Sequence, residues 1–198
     1  MYTFAEAARL SPLLVGREAA RLAAQTSLLA PGFVIDRLFE EDFYTSNNLP
    51  EQLRNLFSPI NPRRIDEDAL EPLCDKAQTL VRASYLLDDA VQKFYRAVRN
   101  ADVLGGKVHV RRDGEPTGEV ATAFAPGTEA LVALKKLWVS DWTFEAVLAR
   151  LDEAGSVGLE ARPALMFAGG PGQLDAEVAA KLGVGHALMN ERGLVGLS

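Results

Sequence analysis

The chain has 198 residues, 48% of them hydrophobic and 24% charged, which suits a globular protein and excludes wholesale disorder. Its 21 basic against 27 acidic side chains leave a net charge of −6, so bulk charge does not favour nucleic acid as a partner. With one cysteine, no run of about 18 apolar residues and no basic-then-apolar leader, it reads as a cytoplasmic protein without disulfides, thiolate metal clusters or a membrane span.

Residues 1–103 read as helical. Thr3 and Glu6 have capping-box spacing, in which each side chain satisfies a free amide at a helix start. Ser11-Pro12 reads as an N-cap followed by proline in the first helical position, and the Ala- and Leu-rich run after it stops at Ala30-Pro31-Gly32. Phe33, Ile35, Leu38, Phe39 and Phe43 fall on one face of a further helix, with Asp36, Arg37, Glu40 and Glu41 on its other side. Ser46-Asn47-Asn48 breaks that segment, Pro50 opens a short helix, and the prolines of Ser58–Pro62 make a loop.

The strongest periodic signal follows. Asp68 and Glu71 form a cap pair, and apolar residues from Leu70 to Val98 recur at three- and four-residue steps. That stripe predicts a single helix of about 30 residues, roughly 45 Å long, as the backbone of the fold. Asp88 and Asp89 then fall mid-helix, and Leu104-Gly105-Gly106 ends it.

Residues 104–198 read as a small α/β region. Val108 and Val110 alternate with Lys107, His109 and Arg111, the turn residues Asp113–Gly118 follow, and Glu119–Ala125 returns as the partner strand of a β-hairpin. Thr128 starts one helix, Ser140 or Asp141 a second, and Gly155 ends the second. Ala164–Phe167 is wholly apolar and reads as a buried strand, followed by a glycine-rich turn, a helix over about residues 173–182, and a strand at His186–Met189.

Four features are candidates for function. Gly169, Gly170 and Gly172 lie in a strand-to-helix turn whose amides could bind an anion or let a ligand approach the main chain, although neither a Walker loop nor GxGxxG spacing is present. Lys107, His109 and Arg111, with Arg112 on the opposite face, form the best basic patch, to which Arg63 and Arg64 could add. On a one-sided strand these groups stand about 7 Å apart, close to phosphate spacing. The same row suits a charged edge strand that discourages edge-to-edge pairing. Cys74 sits on the apolar stripe and reads as a small core residue. His109 and His186 are the only histidines, Gly155–Gly158 is not a nucleophile elbow, and no metal-ligand spacing occurs, so no catalytic residue, cofactor or metal is expected.

The segments Phe144–Leu151, Ala164–Gly170 and Leu174–Gly183 resemble the closing helix–strand–Gly-Gly–helix of corrinoid-binding domains, a family in which a helical bundle often precedes that unit. The family's Asp-x-His-x-x-Gly, which supplies an axial histidine, is not matched. Lys107 and Arg112 occupy the Asp and Gly positions around His109, and the resemblance therefore implies no corrinoid ligated there.

The expected fold class is α+β, mainly helical, with a helical region 1–103, a small α/β region 104–198, and room for the two to form one continuous domain. The leading functional expectation is a soluble intracellular, non-catalytic protein that binds a protein partner or a second copy of itself, because a long amphipathic helix suits helix-to-helix association. The alternatives are nucleic-acid binding through the basic strand face and small-ligand binding at Gly169–Gly172.

Overall fold

A computed structural model describes residues 1–198. The chain runs β1 (Tyr2–Thr3), α1 (Phe4–Ala7), α2 (Pro12–Val15), α3 (Arg17–Leu22), β2 (Gly32–Ile35), α4 (Arg37–Ser46), α5 (Leu49–Leu56), α6 (Glu67–Ala83) and α7 (Asp88–Asn100). It continues through β3 (Gly106–Arg112), β4 (Gly118–Ala123), α8 (Thr128–Ser140), α9 (Phe144–Ala154) and β5 (Ala164–Ala168). It closes with β6 (Gln173–Leu174), α10 (Ala176–Leu182), β7 (Ala187–Asn190) and β8 (Gly193–Leu197). The fold is α+β and mainly helical. No helix is long and apolar enough to cross a membrane.

The larger sheet has the order β1-β2-β5-β3-β4 and is antiparallel throughout; β6-β7-β8 form a second antiparallel sheet. The apolar run of β5 follows from its place at the centre. Ala164, Met166 and Ala168 face one core, Leu165 and Phe167 face another, and a strand covered on both sides needs no polar face. The first core lies under α4–α9. The second lies against α1, α3, α10 and the small sheet.

Several local predictions hold. Thr3 and Glu6 form the capping box of α1, and Ser11 caps α2 with Pro12 behind it. The β3–β4 hairpin pairs Gly106 with Ala123 through to Arg111 with Gly118. Gly155 and Gly183 end α9 and α10 in the left-handed conformation.

Others are corrected. The segment 32–35 is strand, not helix, because Phe33 and Ile35 turn to the first core while Val34 turns to the second. Residues 1–103 are therefore not wholly helical: β1 and β2 belong to the large sheet, and β2 pairs with β5. Asp66, not Asp68, caps α6, and Thr143 caps α9. The corrinoid-like run is interrupted as well, since Leu174 lies in β6 and the helix begins only at Ala176.

The single rod predicted from Leu70 to Val98 is two helices. The chain is extended from Ser84 (ψ 153°) to Leu87 (ψ 148°). Ser84 Oγ donates to the Leu80 carbonyl at 2.9 Å, and Lys135 Nζ from α8 donates to the Arg82 and Ser84 carbonyls at 3.0 and 2.5 Å. The lysine bonds satisfy the Arg82 and Ser84 carbonyls, which a continuing helix would have used. Asn47, at the end of α4, holds Tyr85 in the gap, donating to its carbonyl at 2.9 Å and accepting from its N–H at 3.4 Å. Asp88 and Asp89 consequently stand in the first turn of α7, where carboxylates are favoured, not mid-helix. Most of the stripe is covered by this chain: Leu70, Cys74, Ala77, Val81, Phe94 and Val98 are buried, while Leu87, in the gap, is exposed.

Because Asn47 bridges α4 to the break, Asn47→Ala is expected to cost about 1–2 kcal/mol, the worth of one or two lost hydrogen bonds. Denaturant unfolding checks this, and an unchanged midpoint would show the break to be held by packing alone.

Candidate functional site

β3 lies inside the sheet between β5 and β4, so its charged residues are not on an edge, and from Val108 to Arg112 both of its faces are buried. Arg111 points to the second core. Its guanidinium meets Glu18 in a two-pronged pair at 2.7 and 2.8 Å and also donates to the carbonyls of Arg112, Glu115 and Val195. Glu18 accepts as well from the amides of Gly114 and Leu197, both at 2.8 Å. Asp113 accepts from the Glu18 and Ala19 amides, capping α3 from 95 residues away. That cap requires glycine at position 16, where φ is +101° and a Cβ would stand 2.2 Å from the Asp113 carboxyl carbon.

Arg112 points the other way, under the helical layer. It makes a two-pronged pair with Glu40 of α4, 2.7 Å on each side, bonds Asp141 after α8, and donates to the Arg162 carbonyl at 3.0 Å. Arg162 closes the lattice: its amide donates to Glu40, and its guanidinium bridges Asp141 and Glu115. Arg150 donates to the Asp141 carbonyl at 2.6 Å and stacks over the Trp142 ring at 5.0 Å. Arg112, Arg150 and Arg162 thus stand with Glu40, Glu115 and Asp141, three positive groups with three negative ones, which leaves no excess charge for a phosphate. The carboxylates beside Arg112 hold its guanidinium charged despite the burial that opposes it.

His109 is 1% exposed and neither ring nitrogen has a partner. Burial, helped by the charge of Arg111, pushes its pKa down from 6.5 to about 4, so the ring is neutral at physiological pH. The expected exposed row of Lys107, His109 and Arg111, with Arg112 on the opposite face, therefore does not form: three of the four are buried, and each arginine is ion-paired with buried carboxylate. Lys107, Arg63 and Arg64 are exposed. They are not brought together, because Lys107 shares the face of Arg111, while Ile60 and Ile65, flanking the two arginines, pack on the opposite core.

The glycine turn is also internally occupied. Asn190 donates to the carbonyls of Ala168 and Gly170 at 3.0 and 2.9 Å, and Glu191 accepts from the Gly170 amide at 3.1 Å. Backbone amides, its own and that of Gly170, hold the Glu191 carboxyl below its usual range. Gly169 (φ +97°) could not carry a side chain, since a Cβ would lie 2.5 Å from Asn190 Nδ2. Asp175 takes the first amides of α10, and Gly172 packs against Leu188 and Val195. An internal carboxylate thus stands where an anionic ligand was envisaged. Cys74 is buried, and burial pushes its thiol up to about 11, which fits a core residue better than a nucleophile.

One open apolar surface lies on the helical layer. A cleft of about 430 Å³ runs between α4 and α7, with Phe39 and Ala90 at its floor, Leu87 at its mouth, and Asp42, Asp89 and Lys93 on its rim. Leu87 is 56% exposed and neighbouring Tyr85 is 71% exposed, both placed outside by the break after α6. Leu38, on α4, is also exposed. Sequence reasoning missed this surface because it assigned Leu87 to the buried stripe of one helix. The only local clue was Asp88-Asp89, an acidic pair suited to a helix start. No protein-family model and no curated protein matches this chain, so the reading of the cleft rests on its geometry.

Proposed function

We propose that this protein acts by holding a protein partner in the cleft between α4 and α7, with an amphipathic helix carrying basic flanks as the occupant. The observation that carries the reading is the exposure of Tyr85 and Leu87 beside an apolar cleft floor. Large apolar side chains at the mouth of a groove are the usual anchors of helix-in-groove recognition. The rim favours a basic partner, since Asp42 and Asp89 stand there with a single lysine, Lys93. The unbroken helix that first suggested association is not its basis; the support comes from the side chains that the break leaves outside.

The test compares the full chain with Leu87→Asp, which puts a charge at the solvent-accessible mouth of the cleft and should leave folding within about 0.5 kcal/mol. A protein retained from source-cell extract by the wild type should be lost with Leu87→Asp, while melting temperatures agree. Its cross-linked segment should be helical with lysine or arginine beside an apolar stripe. Equal retention by both chains, or an acidic contacting segment, would sink the reading.

A further inference from the structure

The charges expected to protect a sheet edge sit on β3, an interior strand, and the actual long edge is β4. β4 is six residues long, pairs with β3 without a register shift, and carries one charge, Glu119, with no lysine or proline in the strand. Half of its backbone N–H and C=O groups point away from β3, as in any edge strand. The opposite edge, β1, is two residues long. On the face shared with His109, Gly118, Val120 and Thr122 are exposed, and Phe124, one residue past the strand, follows the same period. Val120 is 46% and Phe124 59% exposed.

We infer that β4 pairs antiparallel with β4 of a second copy about a two-fold axis at Ala121, joining the two large sheets into one. The strand is self-complementary in that register. Val120 falls opposite Thr122 of the second copy, Phe124 opposite Gly118, and Glu119 opposite Ala123, so no like charges meet. An aromatic ring over a cross-strand glycine fills the space the glycine leaves. Ala121, small and half-buried beneath α8, meets its own copy on the other face. The pairing consumes both long edges and leaves only the two-residue β1 edges outside, so the assembly closes at two copies. It does not depend on the α4–α7 cleft, which is made from the helical layer.

Light scattering of the full chain at micromolar concentration should give twice the 21.4 kDa chain mass. The variant V120K/T122K sets lysine against lysine across the axis and should give the monomer mass, with far-ultraviolet circular dichroism unchanged and a melting temperature that no longer rises with protein concentration as the wild type's does. A121C should cross-link to its copy under mild oxidation. F124C should not, because its two sulfurs would lie roughly 20 Å apart; Cys74 is buried and does not compete. Leu87→Asp should leave the dimer intact, which separates this pairing from the cleft. A monomeric wild type, a dimer that survives V120K/T122K, cross-linking of F124C as readily as A121C, or a dimer dissolved by Leu87→Asp would each overturn the inference.

Discussion

Replacing Arg112 with methionine is expected to lower stability by about 3–5 kcal/mol, among the largest effects available to a single substitution here. Arg112 is 1% exposed and balances Glu40 and Asp141, which are themselves buried. Methionine keeps most of the volume but leaves two carboxylates in the interior with less compensation, and that exposed penalty dominates the loss of the pair itself. The double variant Arg112→Met/Glu40→Leu removes one stranded carboxylate and should recover part of the loss. Arg162, at the half-exposed rim of the same lattice, should cost about 1 kcal/mol or less when changed to alanine. Urea unfolding of the three variants measures all of this. A loss under about 1 kcal/mol for Arg112→Met, or equal losses for the single and double variants, would mean that packing rather than charge holds α4 and α8 to β3.

The second large effect is on pH dependence and belongs to His109. Its folded pKa of about 4 lies below the ordinary 6.5, so the unfolded chain binds a proton over that window and the folded chain does not. Stability should therefore be intact above about pH 6.5 and fall as pH drops towards 4, by an amount on the order of 3 kcal/mol from this one residue. His109→Leu, similar in size and without the two unpartnered nitrogens, should remove that slope. It should also raise stability at neutral pH, because the two ring nitrogens buried without partners are then gone. Because other groups titrate in the same range, the quantity to follow is the difference between the two proteins from pH 7.5 to 4.5. A constant difference would show that the ring finds a proton acceptor or water in the folded state.

Both effects come from one strand, and its alternation was legible while its depth was not. Val108, Val110 and Arg112 fall on one side and Lys107, His109 and Arg111 on the other, as period two demands. What covers each side comes from far along the chain. Glu18 is 93 residues from Arg111, and Glu40 is 72 from Arg112. A row of basic residues at strand spacing looks the same in sequence whether it is bathed in water or matched one by one with buried carboxylates. The acidic partners were visible only as helix surface: Glu40 was read on the polar side of its helix, and it is buried because that side packs over Arg112.

The break after α6 has the same origin. Leu80, Val81, Leu87 and Val91 continue a helical period across it, and no glycine or proline marks the gap. Its cause lies in the end of α4 and the middle of α8, which bond the Ser84–Tyr85 backbone. Tertiary bonds overrode local propensity there, and the override put Tyr85 and Leu87 on the surface.

Legible from the chain alone were the pieces whose stabilising partners lie within a few residues. These are the Thr3–Glu6 capping box, the Ser11-Pro12 start, the β3–β4 hairpin, the glycines that end α9 and α10, and the apolar strand β5. Which charged groups are buried, where the long amphipathic stripe bends, and which apolar side chains stay outside emerged only with the packing of distant segments. Those outcomes depend on what packs against a residue, and a chain's local pattern encodes the shape of each element without naming its neighbour.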